Sequence, residues 1–129
     1  MSYPQQLLID TDVMIEYLRG SEKAMDFLEA LERRPATSVI CLTELLSGVR
    51  DNREQAAVKI FLQAFDILPV DAGIARLGGQ YRRAYRKSHN TGLADALIAA
   101  TATVHNLILA TFNVKHFPML ETHLPYSRA

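Results

Sequence analysis

The sequence predicts an α/β fold in which a central, mostly parallel sheet is flanked by helices. Short apolar runs typical of buried strands alternate along the chain with longer segments of helical periodicity. Acidic or amide side chains follow three of these runs, as expected where the carboxyl ends of parallel strands meet at one edge of a sheet. With 129 residues, the chain is long enough for one substantial core, so we expect residues 1–129 to form a single domain.

The first part of the chain predicts two strands, each followed by helices. Residues 7–9, Leu-Leu-Ile, predict the first strand, and a helix follows from Asp12 to Arg19, where Gly20 ends it. Ser21 is a suitable N-cap for a second helix that ends near Pro35. Residues 37–41 are β-branched and apolar, and therefore predict the second strand.

The remainder predicts four helices and two further strands. Residues 44–49 predict a short helix and residues 52–65 a longer one with an apolar side. Residues 67–70 predict an edge strand, because a proline cannot donate to a central ladder, and Asp71 predicts the N-cap of a helix reaching about Lys87. Residues 91–105 are alanine-rich and apolar almost all round, which indicates a buried helix before a last strand over residues 107–110.

Composition limits the class of protein. Hydrophobic residues make up 49% and charged residues 22%, as in a folded globular protein. Lysine plus arginine equals aspartate plus glutamate, 14 each, so a nucleic-acid partner would have to be recognised through local patches. We see no membrane span or signal peptide in the sequence and expect a cytoplasmic protein. The single cysteine, Cys41, lies in an apolar stretch and is predicted to be a small buried hydrophobe.

Four oxygen-bearing side chains are predicted to meet at the carboxyl edge of the sheet. Asp10 ends the first strand and Asn113 follows the last one. Glu44 and Asp95 are each expected in the first turn of a helix. Carboxylate and amide oxygens are ligands that Mg²⁺ or Mn²⁺ prefers. A carboxylate in apolar surroundings, as at Asp10 and Asp95, costs free energy unless a cation compensates its charge.

The acidic residues also have structural interpretations. Glu44 and Asp95 would complement the positive ends of helix dipoles, which contributes about 0.3–1 kcal/mol each. Asp12 would serve as a helix cap equally well as a site residue. Asp10 fits such an interpretation less well, because it ends an apolar strand and does not begin a polar loop.

The first motif alone is compatible with a phosphatase. Residues 10–13, Asp-Thr-Asp-Val after an apolar strand, resemble the start of haloacid-dehalogenase-like phosphatases, where the first aspartate is the nucleophile and the second the acid. The resemblance stops there, because the last strand leads into Thr111-Phe112-Asn113 and not into a pair of acids. Glu44 and Asp95 have no role in that scheme.

Four segments in order resemble a PIN domain of the VapC-type toxin ribonucleases: LLIDTDVMIEYL, SVICLTELLSGV, GLADALIAATA and ILATFNVKHF. The resemblance implies a PIN-like three-layer sandwich and a metal-dependent endoribonuclease, the toxin of a type II toxin–antitoxin pair. It implies that Asp10, Glu44 and Asp95 occupy the three acidic positions that hold Mg²⁺ or Mn²⁺. Asn113 occupies the fourth, where many members have aspartate, and this loss of one negative charge argues against a second tightly held metal.

The resemblance also implies substrate and partner contacts. Thr11 and Thr111 match small hydroxyl positions near the substrate, where they would orient carboxylates or water. Arg82 and Arg86 share one stripe of a helix and are candidate contacts for RNA phosphates, as is Lys115, although a solvated helix face is the simpler explanation for any single arginine. The implied partners are RNA, a VapB-type antitoxin and a second copy in a homodimer. A PIN-like RNA- or partner-binding module without turnover is the alternative.

Overall fold

The computed structural model describes residues 5–128, which form one parallel five-stranded sheet. The strands, in chain order, are β1 Leu7–Ile9, β2 Ala36–Ser38, β3 Asp66–Leu68, β4 Ile108–Ala110 and β5 Thr122–His123. Their order across the sheet is β3-β2-β1-β4-β5, and all four pairings are parallel. The predicted α/β class is therefore confirmed. β3 lies at an edge as predicted, although it spans Asp66–Leu68 and not residues 67–70, so Pro69 lies just outside it.

Helices complete a three-layer α/β sandwich with this sheet at its centre. They are α1 Thr11–Leu18, α2 Glu22–Glu29, α3 Val39–Ser47, α4 Asn52–Leu62, α5 Ala72–His89 and α6 Leu93–Val104, with a 3₁₀ turn at Val114–His116. Side-chain oxygens cap the first five by accepting from backbone N–H groups of the first turn, and they belong to Asp10, Ser21, Ser38, Asp51 and Asp71. Each cap satisfies a donor that the helix itself cannot pair. The predicted N-caps Ser21 and Asp71 are confirmed.

The core is built on the central strands and includes buried residues of α1, α3, α4 and α6. Leu8, Ile9 and Leu109 are fully buried, and α6 presents small residues that allow close packing. α5 also approaches α6 closely, because a Cβ added at Gly78 would lie only 2.8 Å from Cδ2 of Leu97. The predicted buried helix is confirmed, although it spans Leu93–Val104 and not all of residues 91–105.

The prediction for the second strand is wrong beyond Ser38. The hydroxyl of Ser38 accepts from the N–H of Ile40 and begins α3 at Val39, so Val39–Cys41 is helical despite its β-branched residues. The cap and the tertiary packing override the local preference for a strand. The predicted helix over residues 44–49 therefore begins too late, and Glu44 lies in the second turn of α3, not the first.

Two helix ends and one strand also differ from expectation. α2 ends at Glu29, well before Pro35, and α4 ends at Leu62, before Phe65. Arg34 lies in the loop between α2 and β2, where its guanidinium donates to Asp66 and to the backbone carbonyl oxygens of residues 63 and 65. β5 has only two residues, which is too short to leave a sequence pattern. Within residues 5–128, no helix is both long and apolar enough to cross a bilayer.

Candidate active site

The carboxyl ends of β1 and β4 form the centre of the candidate site. The chain leaves β1 towards β2 on one side of the sheet, whereas β4 leads to β5 on the other. Such a reversal of direction between neighbouring parallel strands opens a crevice beyond their carboxyl ends. Asp10 follows β1 and Thr111 follows β4 directly, so both lie at this crevice.

Asp10 is a buried carboxylate held by two threonines. Its side chain is the N-cap of α1, where Oδ1 accepts from the N–H of Thr11 at 2.8 Å, and Oδ2 accepts from the hydroxyl of Thr111 at 2.8 Å. Burial, followed by the negative charge of Asp12, raises the pKa of Asp10 to about 7, and the hydrogen bonds only partly offset this. Asp10 is therefore a site where extra positive charge would be stabilising.

Glu44 reaches Asp10 from α3. The hydroxyl of Thr11 donates to its Oε1 at 2.7 Å, and one ligand atom each of Asp10, Glu44 and Cys41 lie within 4.8 Å of one another. Burial raises the pKa of the Cys41 thiol to about 12, so the sulfur stays protonated and is a poor ligand for a hard cation. The prediction that Cys41 is a buried apolar residue is confirmed, and the two carboxylates are the effective donors.

Asp95 approaches the same crevice from the first turn of α6. Its Oδ2 accepts a 3.4 Å hydrogen bond from the N–H of Gly92 and lies 3.6 Å from Nδ1 of His116. Its negative charge contributes to the raised pKa of Asp10, so the two carboxylates are close enough to interact. Asp95 is outside the group whose ligand atoms lie within 4.8 Å of one another.

Asp12 has a role that the sequence did not indicate. It is not the N-cap of α1, which is Asp10. Its Oδ1 accepts from the N–H of Val13 at 2.8 Å, and its Oδ2 accepts from the N–H of Phe112 at 3.0 Å. Asp12 thereby ties the turn after β4 to the start of α1. With its oxygens so engaged, the geometry gives no support to the phosphatase alternative, in which Asp12 would be a general acid.

Asn113 completes this turn. Its N–H donates to the hydroxyl of Thr111 at 3.0 Å, and its Nδ2 donates to Oδ2 of Asp12 at 3.2 Å. The side-chain nitrogen of Asn113 is thus engaged with Asp12, and its side-chain carbonyl oxygen remains as an acceptor. The only sequence signal for the pairing of Asp12 with Asn113 was that each is the third residue after a strand.

Within residues 5–128, none of the predicted phosphate contacts forms an ion pair with the acidic residues of the site. Arg86 and Lys115 are exposed, whereas Arg82 is half-buried and its Nε has no hydrogen-bond partner among residues 5–128. The structure thus brings the acidic residues together without these arginines.

The donor set at the crevice fits a hard divalent cation. Asp10 and Glu44 offer carboxylate oxygens within 4.8 Å of each other, a separation that one ion with ligands at about 2.0–2.6 Å can span. Asp95 and Asp12 add negative charge around Asp10, and Asn113 is joined to this cluster through its amide nitrogen, which donates to Asp12. A cation would relieve the mutual repulsion of these carboxylates.

Comparisons with known proteins agree on one family. A family model described as the PIN domain matches residues 7–118. Ribonuclease VapC10 of Mycobacterium tuberculosis is 45% identical over 122 residues, which cover 92% of this chain and 91% of that protein. Ribonuclease VapC19 of the same organism is 44% identical over 117 residues, covering 87% and 92%. Among solved structures, a toxin–antitoxin complex from Klebsiella pneumoniae superposes with a TM-score of 0.79 at 30% identity, covering 94% of this chain and 98% of that one.

Proposed function

This chain belongs to the PIN-domain family, and from that premise we propose that it is an endoribonuclease, the toxin of a type II toxin–antitoxin pair. Relatives at 44–45% identity are named ribonucleases, and a structural neighbour at 30% identity is a toxin–antitoxin complex. We propose that residues 1–129 act as one nuclease domain in the cytoplasm, where the RNA substrates are.

The observation that carries the proposal is the burial of Asp10 beside other carboxylates. Asp10 is 5% exposed, and an oxygen of Glu44 lies within 4.8 Å of one of its own. Asp10 also caps α1, but a cap does not require burial, and a desolvated carboxylate beside the negative charges of Asp12 and Asp95 lowers the stability of the fold. A bound cation would offset this electrostatic cost, because it neutralises the carboxylates.

Asp10, Glu44 and Asp95 would hold Mg²⁺ or Mn²⁺, and Asn113 would contribute a neutral oxygen. When bound, such a cation lowers the pKa of water and neutralises charge that develops on a phosphodiester. The chain's own contribution is to fix the donors. Thr111 and Thr11 donate to Asp10 and Glu44, and so hold each carboxylate in one orientation before substrate arrives. We accordingly propose that both threonines act on substrate through these carboxylates.

RNA would be held by positive charge outside the acidic cluster. Arg82 and Arg86 on α5, and Lys115 beside Asn113, are our candidates for contact with phosphates. Such contacts carry no base information, so they would position the strand and not select its sequence. Selection would depend on groups nearer the cut.

We propose a VapB-type antitoxin and a second copy of this chain as protein partners. A short reading frame directly upstream would encode such an antitoxin. Its binding would restrain the nuclease, which a cell could not otherwise tolerate.

The test is induced expression in Escherichia coli of wild type beside Asp10→Ala, Glu44→Ala and Asp95→Ala, with growth and RNA integrity as readouts. We expect wild type to arrest growth and to fragment RNA, and the three variants to do neither. Glu121→Ala is the matched control, because it removes an exposed carboxylate outside the site and should leave toxicity intact.

A cleavage assay with purified protein distinguishes a nuclease from a module that binds RNA without turnover. Wild type should cleave total bacterial RNA when Mg²⁺ or Mn²⁺ is present and stop when EDTA is added. Equal toxicity of wild type and Asp10→Ala, without RNA fragmentation, would instead favour the module that binds without turnover. Co-expression of the upstream reading frame should restore growth.

A further inference from the structure

Residues 124–128, here called the arm, run past the turn that follows β4. Two of its side chains contact the ring of Phe112 in that turn. The guanidinium carbon of Arg128 lies 4.1 Å from the ring centroid, and the ring of Tyr126 meets it edge-on with centroids 5.0 Å apart. Both geometries are attractive for an aromatic ring.

The arm is itself anchored to the first two helices. The hydroxyl of Tyr126 donates to Oε1 of Glu16 on α1 at 2.9 Å, and Nη1 of Arg128 lies 3.8 Å from Oε2 of the same residue. Nζ of Lys23 on α2 donates to the carbonyl oxygen of Ser127 at 2.9 Å. The arm therefore has fixed supports on elements other than the turn that it touches.

Phe112 is held on two sides. Its backbone N–H donates to Asp12, while its ring lies against the arm. Its neighbours in sequence, Thr111 and Asn113, bond to Asp10 and Asp12 respectively. A shift of Phe112 would displace both neighbours, because all three residues share one short turn.

We propose that the arm positions the candidate active site, with Arg128 and Tyr126 acting through Phe112 to hold Thr111 against Asp10. The inference rests on the proposed nuclease function for its effect on cleavage, but not for its effect on the turn. Arg128 and Tyr126 are positioning residues. The interaction needs no contact with RNA, since the guanidinium of Arg128 is directed to Phe112 and Glu16.

Amide hydrogen exchange of the metal-free protein tests the positioning directly. In Arg128→Ala, the amides of Phe112 and Asn113 should exchange about tenfold faster, because the turn opens more often. Amides in the middle of α6 should keep their wild-type rates. Arg53→Ala, which removes an exposed arginine of α4, is the matched control and should change neither set. Unchanged exchange at Phe112 and Asn113 in Arg128→Ala would overturn the proposal.

The second measurement is cleavage of total bacterial RNA in the presence of Mn²⁺. Arg128→Ala should lower kcat about tenfold, since small displacements of catalytic groups are costly, with KM and the salt dependence unchanged. Phe112→Leu should have the same effect, and the double variant should be no worse than either single one, because both disrupt one contact. Effects that multiply in the double variant would argue against a shared contact.

Two other results would also contradict the proposal. A raised KM and a weaker salt dependence, with wild-type exchange, would mean that Arg128 contacts a phosphate directly. Faster exchange with unchanged cleavage would mean that the arm stabilises the turn without serving the reaction. If wild type itself cleaved no RNA, the proposed function would fail, whereas the exchange comparison would still decide whether the arm holds the turn.

Discussion

The hydroxyl of Thr111 donates a 2.8 Å hydrogen bond to Oδ2 of Asp10, joining residues that are 101 positions apart in the sequence. The same hydroxyl accepts from the N–H of Asn113 at 3.0 Å. One buried side chain thereby orients a carboxylate and fixes the turn after β4. The ends of the two central strands are linked through this group.

Replacement of Thr111 by valine tests the contribution of its hydroxyl group at nearly constant side-chain volume. Thr111→Val keeps the volume but leaves the N–H of Asn113 and one oxygen of Asp10 without this partner, which costs about 1–3 kcal/mol of stability. We expect cleavage to fall about tenfold, a loss consistent with removing a partner that orients a ligand. Thr111→Ser retains the hydroxyl and should cleave RNA nearly as fast as wild type. Urea unfolding and single-turnover cleavage measure the two effects, and equal loss in both variants would contradict the role of the hydroxyl.

Asn113 offers a test of the charge at the site. Asn113→Asp adds a negative charge beside Asp12 and near Asp10, so it should lower the Mn²⁺ concentration needed for half-maximal cleavage. Asn113→Ala removes only a neutral oxygen and should weaken activity less than Asp95→Ala. Metal titrations of the three variants and wild type in one cleavage assay give the comparison. A higher Mn²⁺ requirement in Asn113→Asp than in wild type would contradict it.

The sequence predicted the parallel sheet, and the position of Asp10 at its carboxyl edge, because both depend on strong local signals. Apolar runs such as Leu7–Ile9 are long enough to identify a buried strand, and an acid directly after such a run is unusual. The start of α3 could not be predicted in this way. There Ser38 as a cap competes with the strand preference of Val39 and Ile40, and only tertiary packing decides between them.

Hydrogen bonds between segments that are distant in the chain could not be predicted from the sequence either. From the sequence, Asp12 fitted a helix cap and a site residue equally well. Its partners Phe112 and Asn113 follow a strand that lies about 100 residues later. Nothing in the local pattern of either segment specifies that pairing. The carboxylate positions were predictable from strand ends, whereas the hydrogen bonds that orient them depend on the packed structure.

The pKa of Asp10 makes the stability of the metal-free protein depend on pH. Its folded-state pKa, about 7, lies above the ordinary value of 3.8. Such a group favours the folded state fully below pH 3.8, and this contribution is lost as the pH rises through 7. The difference between these two pKa values corresponds to about 4 kcal/mol of folding stability.

Asp10→Asn isolates this contribution. In EDTA, the stability of wild type relative to Asp10→Asn should fall between pH 4 and pH 7, and the variant should be the more stable protein at pH 8. Urea unfolding at a series of pH values measures the difference. At pH 8, Mn²⁺ should stabilise wild type more than Asp10→Asn. A difference in stability that stays constant with pH would show that Asp10 titrates normally.

Two adjacent glycines of α5 test the packing of α5 against α6. A Cβ at Gly79 meets no heavy atom within 4 Å, so Gly79→Ala should stabilise the protein by about 1 kcal/mol through helix propensity alone. A Cβ at Gly78 would lie 2.8 Å from Cδ2 of Leu97, which must move to admit it. Because the nearest atom is the end of a half-buried side chain and the backbone atoms lie at 3.5 Å, Gly78→Ala should be less stable than Gly79→Ala by about 1 kcal/mol. Equal midpoints of unfolding would indicate that the two helices pack less closely than described.

The arginine stripe of α5 can be tested through the salt dependence of RNA binding. Each phosphate contact to a single strand contributes about 0.7 to the slope of log affinity against log salt concentration. If Arg82 and Arg86 each contact one phosphate, Arg82→Ala with Arg86→Ala should weaken binding and reduce that slope by about 1.4. Metal affinity should not change, because neither arginine pairs with the carboxylates of the site.

The matched control for this stripe is Arg83→Ala with Lys87→Ala, which removes the same charge from the adjacent stripe of the same helix. Binding should be measured by fluorescence anisotropy with labelled bacterial tRNA and the Asp10→Ala form of each protein, which is not expected to cut the ligand. A direct phosphate contact predicts a larger change of slope for the Arg82 and Arg86 pair than for the control pair. Equal changes in both pairs would mean that RNA responds only to the net charge of α5, because a diffuse field does not distinguish neighbouring stripes.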